Sequence, residues 1–263
     1  MWNMVMSLPE YRNSLAGLTE LELWYAAKQG ATCRHDFKTA VNLWTDLYSF
    51  SSCFDRETAA EKNAAWSVFL DNLSRYDVAA FMRDFEPRLE RDLEKAGRDI
   101  ALSSAGFMYE FHHEYFRPPD SGDLLTLHFR NYFAPDSPAN HVGELAAKLR
   151  GLVAKARAER PEVKKVQCAS WLNDIPFFLA LFPDEWRESA ADCPYEPSTG
   201  WWGQFIDRTG GINQKNAAYL KEHGAFKHQN VHCVCSVDGL ERRLASIIPN
   251  AKRTDGDGFG RLT

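Results

Sequence analysis

The chain has 263 residues, 44% hydrophobic and 25% charged, and a formal net charge of −5. That length can bury a sizeable core in one large or two smaller domains, and the balance is that of a globular protein. No apolar run is long enough to span a membrane, no secretory leader is expected from the first residues, and an acidic chain without a basic tail argues against a nucleic-acid partner.

Residues 1–98 read as a helical subdomain. Thr19-Glu-Leu-Glu22 has the capping-box pattern of a helix that would stop at Gly30. Asp36 heads a second helix with Phe37, Ala40, Val41 and Trp44 on one stripe. Asp55 heads a third through Trp66 and Leu70, and Asp77 a fourth that is interrupted at Pro87. None carries a catalytic motif, and their apolar stripes are expected to be core.

Residues 99–250 are expected to form a mixed α/β domain, followed by a flexible tail at 251–263. Residues 106–116 alternate as a strand, and the turn chemistry of Pro118-Pro-Asp-Ser-Gly-Asp123 joins them in a hairpin to a strand at 124–130. Ser137-Pro138 opens a helix that runs to Arg160 on the stripe Val142, Leu145, Leu149, Leu152. Val163, Val166 and Cys168 then give a second strand. A strand–helix–strand unit of this length is normally parallel, and ligands collect beyond the carboxyl ends of such strands. Here those ends are 130–132 and 169–171. Further on come a short helix at 174–183, a strand at 201–206, a helix from Asn213 to Gly224, a strand at 231–237 and a last helix headed by Asp238. The fold class is therefore α+β.

With these elements in place, Leu124-Leu-Thr-Leu-His-Phe129, the helix after it and Cys168-Ala-Ser-Trp-Leu172 resemble the C-terminal domain of a GNAT-like acyltransferase group with a helical N-terminal half. The resemblance covers residues 106–224. It implies a GNAT-like mixed sheet with crossover helices and transfer of an acyl group from acyl-CoA or a carrier to a small amine. Enzymes of that kind hold the CoA pyrophosphate on backbone N–H groups at a helix N-terminus, through a glycine-containing loop. The corresponding loop here, residues 131–138, has no glycine and contains Pro135, Pro138 and Asp136; Arg208-Thr-Gly-Gly211 is the nearest alternative.

Under that reading His128 or Glu110 is the general base that deprotonates the amine. Cys168 and Ser170 are candidate nucleophiles near a strand end. Backbone donors at Tyr132, Ser137 and Ala139, with the side chains of Trp171 and Trp202, would form the cofactor cleft. A second reading is a metal-dependent oxidoreductase. If the hairpin turns at Asp120, His112 lies opposite His128 and Glu110 opposite Arg130, so that Glu110, His112 and His128 could bind Fe(II) or zinc as a 2-His-1-carboxylate site. A third is a non-catalytic ligand-binding protein. His223, His228, His232, Cys233 and Cys235 match no metal spacing, and the last two point the same way on their strand. Six cysteines without framework spacing are expected to be reduced thiols in a cytoplasmic protein.

Overall fold

The structure is a computed structural model and describes residues 6–73, 76–111, 123–193 and 199–254. It is α+β, and its described residues fall into two compact units: Met1–Asp99 with Pro194–His228, and Ile100–Cys193 with Gln229–Thr263. Among the described residues no helix is long and apolar enough to cross a membrane.

The first unit is helical. Helix α1, Leu8–Cys33, starts at a true capping box: Ser7 Oγ accepts from Glu10 N, and the Glu10 carboxylate accepts from Ser7 N. The pattern at Thr19 is therefore not a helix start. It lies inside α1, where Thr19 Oγ1 donates back to Leu15 O at 2.8 Å. Gly30 does not stop the helix either. A Cβ there would stand 3.0 Å from Ala40 Cβ, so glycine lets α1 approach the next helix closely. That helix, α2 (Phe37–Trp44), is capped by Asp36 as expected. Asp55 instead closes a turn, its carboxylate accepting from Glu57 N and Thr58 Oγ1. Helix α3, Ala64–Asp71, starts later under an Asn63 cap. Asp77 caps α4, Val78–Phe85, and a 3-10 turn through Pro87 leads to α5, Leu89–Leu102.

Residues 201–206, expected as a strand of the second domain, pack in this first unit instead, helical from 201 to 205, with Ile206 in an isolated bridge to Ile212. The helical residues lie in α9, Thr199–Trp202, and the 3-10 turn Gly203–Phe205. Trp201 stacks on Phe226, Trp202 and Phe205 meet that ring edge-on, and Tyr25 of α1 meets both Trp202 and Phe226 edge-on. Burial of that aromatic cluster outweighs the strand-like composition. Helix α10, Gln214–His223, follows with its Asn213 cap and a left-handed Gly224 at its end.

The second unit is a five-stranded sheet in the order β1-β2-β3-β5-β4. The strands are β1 Phe107–Glu110, β2 Leu124–Phe129, β3 Lys165–Ser170, β4 Ala191–Asp192 and β5 Val231–Ser236. As expected, β1 and β2 are antiparallel, and β2 and β3 are parallel across helix α6, Val142–Glu159. The other pairs are antiparallel. Helices α7 (Pro176–Leu179) and α8 (Asp184–Glu188) follow β3. Just past α8, Ser189 covers the edge of β5, its hydroxyl donating to Val234 O at 2.7 Å and accepting from Val234 N at 2.8 Å. Helix α11 is Val237–Thr254, so the residues from 251 that were expected to begin a loose tail prolong this helix to 254; the rest lie outside the described residues.

Strand alternation sorts the two faces of this sheet. Phe107, Leu125, Leu127, Val166, Cys233 and Cys235 pack against Leu145, Leu149 and Val153 of α6 and Leu240 and Leu244 of α11. Both long helices thus lie on one face. At roughly 1.5–3 kcal/mol for each large apolar side chain taken out of water, that layer dominates the unit's stability.

Candidate functional site

The opposite face carries Glu110, Thr126, His128, Gln167 and His232, because each falls at the same parity in the registers Glu110↔Thr126, Thr126↔Gln167 and Ala169↔His232. Three of them form a line across the sheet. Gln167 Nε2 donates to Thr126 Oγ1 at 2.9 Å, and Gln167 Oε1 lies 2.9 Å from His232 Nε2. Thr126 and Gln167 are 3% and 4% exposed. Buried polar groups persist only when paired, and each partner here answers the next. Burial holds the His232 imidazole below its ordinary value of 6.5, so it is neutral at pH 7.

Beside this line, His128 Nε2 stands 3.7 Å from Glu110 Oε2. The register differs from the expected one. Met108, not His112, faces His128, and Thr126, not Arg130, is the antiparallel neighbour of Glu110. The slip is an even number of residues, so Glu110 and His128 keep a common face and meet on the diagonal. Their side chains are 42% and 37% exposed, which makes the attraction modest, while the His128 Nε2 atom itself is buried. His112 lies outside the described residues, and among those described no group of three His, Cys, Asp or Glu side chains could hold a metal.

The other sequence candidates are placed elsewhere. Cys168 is one residue out of phase with Gln167, hence on the helix-covered face, away from His128. It is buried, faces Cys233, and its thiol is pushed up to about 12 by burial first and by Cys233 second. A thiol so placed is not a thiolate at neutral pH and has no base beside it. Ser170 Oγ accepts from Leu172 N and caps the 3-10 turn Trp171–Asp174. That turn positions Asn173, which is buried where β3 and β5 part. Its amide donates to Cys168 O and Val231 O and accepts from Trp186 Nε1 at 3.0 Å. The Cys168 to Asn173 segment, with Trp171 half-buried in its turn, thus closes the end of the sheet. Trp202 is fully buried in the first unit's aromatic cluster and lines no cleft on this sheet.

The loop ahead of α6 does not fit a pyrophosphate. Asp136 Oδ1 accepts from Ser137 N and Asn140 Nδ2, and its Oδ2 lies 2.8 Å from His141 Nε2. Ala139 N donates to Ser137 Oγ, while Tyr132 is exposed and turned against Phe133. The His141 contact first, then Ser137 N, holds the Asp136 carboxyl below its ordinary value. The chain's own carboxylate occupies the donors that a phosphate would need. The alternative loop behaves alike, with Asp207 Oδ1 accepting from Thr209 N, Thr209 Oγ1 and Gly211 N.

Gln167 and Asn173 were not among the sequence candidates, and His232 was considered there only as a metal ligand and set aside for its spacing. The signal available for Gln167 was a polar residue between Val166 and Cys168, at a strand position where a solvated side chain would leave its neighbours unpaired. Compared with family models, with curated proteins and with solved structures, the chain matches none.

Proposed function

We propose that the protein is an N-acyltransferase-like enzyme whose reactive surface is the polar face of the sheet. The observation that carries this reading is the Glu110–His128 pair beside the buried Thr126–Gln167–His232 line. His128 takes the proton from a small amine as the amine attacks an acyl thioester. The amide C–N bond forms, the C–S bond breaks, and the proton lost by the amine rests on the imidazole. Glu110 favours the resulting imidazolium. Such proton transfer contributes about 10²–10⁴-fold to a rate. The engaged donors of the 131–138 loop favour a carrier-bound acyl donor over CoA held at that loop. Six cysteines carried as thiols support a reducing, cytoplasmic setting.

The test is amide formation from a panel of acyl thioesters and small amines. His128→Ala should lower turnover about 10²-fold or more while donor KM stays nearly constant. Equal turnover in wild type and variant would remove His128 from the chemistry. A second reading keeps Glu110 and His128 as two ligands of an Fe(II) or zinc site completed by His112. Near-stoichiometric metal that is lost in both His128→Ala and Glu110→Gln would favour it. Absence of both activity and metal would leave a ligand-binding protein.

A further inference from the structure

Away from the polar face, the turn from α7 into α8 and the first turns of α11 border an open cleft of about 570 Å³. Its apolar lining residues are Leu179, Phe182 and Pro183, with Phe182 mostly buried and stacked on Trp186 at 4.0 Å. Its rim is cationic, made by Arg187, Arg242 and Arg243.

These charges are unevenly committed. Arg243 donates through Nε and Nη2 to Ala180 O and so ties α11 to the end of α7. The Glu185 carboxylate accepts from Ser236 N and Oγ at 3.0 and 2.8 Å. It fits there because residue 239 is glycine, where a Cβ would stand 3.1 Å from Glu185 Oε2. Among the described residues Arg187 and Arg242 form no ion pair. Against three guanidiniums the wall sets two carboxylates, Asp184 and Glu185, so the lining carries one net positive charge. A monoanion would neutralise it, whereas a dianion would leave an excess negative charge.

We propose that this cleft binds a monoanionic organic carboxylate with an apolar tail, of the medium-chain fatty acid kind. Its carboxylate lies between Arg187 and Arg242 and its tail on Leu179, Phe182 and Pro183. The volume falls within the roughly 300–1,000 Å³ of small-molecule sites, and guanidinium is the side chain best matched to a carboxylate. No residue of the polar line or of the Glu110–His128 pair takes part, so this site stands independently of the acyl-transfer reading.

The experiment is calorimetric titration of the full chain with octanoate, and with acetate, 1-octanol and inorganic phosphate as comparisons. Octanoate should saturate one site. The Arg187→Gln/Arg242→Gln double variant should bind it about tenfold more weakly or worse, since two charge-assisted contacts are lost. Both arginines are exposed, and an unchanged thermal melt would show that the variant remains folded. Acetate and 1-octanol, each lacking one half of the ligand, should bind at least about tenfold more weakly than octanoate. Absence of octanoate binding at millimolar concentration would overturn the proposal. So would equal binding by the double variant, or phosphate binding as tight as octanoate.

Discussion

Gln167 and His232 share a hydrogen bond of 2.9 Å between the neighbouring strands β3 and β5, in the middle of the sheet. The Gln167 amide N–H is given to Thr126, so its oxygen can only accept, and His232 must carry its proton on Nε2. One side chain thus sets the tautomer of the imidazole and satisfies a buried hydroxyl. Gln167→Leu would remove the bond to the buried Thr126 hydroxyl and the bond to the half-buried His232 ring. We expect a loss of about 1–3 kcal/mol in urea unfolding, beyond any gain from added apolar contact. An unchanged midpoint would show that the line is not a structural unit.

Glu22 predicts a pH effect of the opposite kind to most acids. It is fully buried in α1, and burial first, then the charge of Asp46, raises its carboxyl well above the ordinary 4.5, while Asp46 N donates to its Oε2 at 2.8 Å. The native state therefore holds this proton more tightly than the unfolded chain. The stability it contributes is present below pH 4.5 and is lost as pH rises through the raised value. Glu22→Gln should melt higher than wild type at pH 8, and the difference should shrink towards pH 5. A variant that melts lower at both pH values would contradict this.

Asn173 should be the costliest of the polar residues at the end of the sheet. It answers the carbonyls of Cys168 and Val231 and the indole of Trp186 at once. Asn173→Ala would strand these partners, and we expect a loss of about 2–4 kcal/mol. Asn173→Asp, which keeps the acceptor for Trp186 but cannot donate, should be destabilised as well. If both variants unfold at the wild-type denaturant concentration, the role assigned to this residue is wrong.

Thiol reactivity checks the fate of Cys168. Cys168, Cys233 and Cys235 are buried, with thiols pushed up to about 12 and about 11 for the first two, and raised by burial for Cys235. In native protein near pH 8, a thiol reagent should label Cys33 first, Cys53 and Cys193 more slowly, and the three buried residues last. All six should react in denaturant. Rapid labelling of Cys168 in the native state would restore it as a nucleophile.

Much of this was legible along the chain where the governing interactions are local. Asp36, Asp77 and Asn213 cap the helices they were expected to cap, because a side chain reaching a backbone N–H three residues on needs nothing from elsewhere. The parallel pairing of β2 and β3 follows from a connection long enough to cross over through α6. Alternation also assigned Glu110 and His128 to one face, which is why an even slip in register left them together.

What the tertiary structure alone decided involves partners distant in sequence. The β1–β2 register is such a case, since alternation sets parity but not position. Residues 201–205 became helical where Tyr25 and Phe226 pack against their rings. Asp136 took the donors ahead of α6. Gln167 became the centre of a polar line only when Thr126 and His232 arrived on adjacent strands. Local sequence prescribes which groups a segment offers; burial and pairing with remote segments determine which of those groups are satisfied, and so what remains for chemistry.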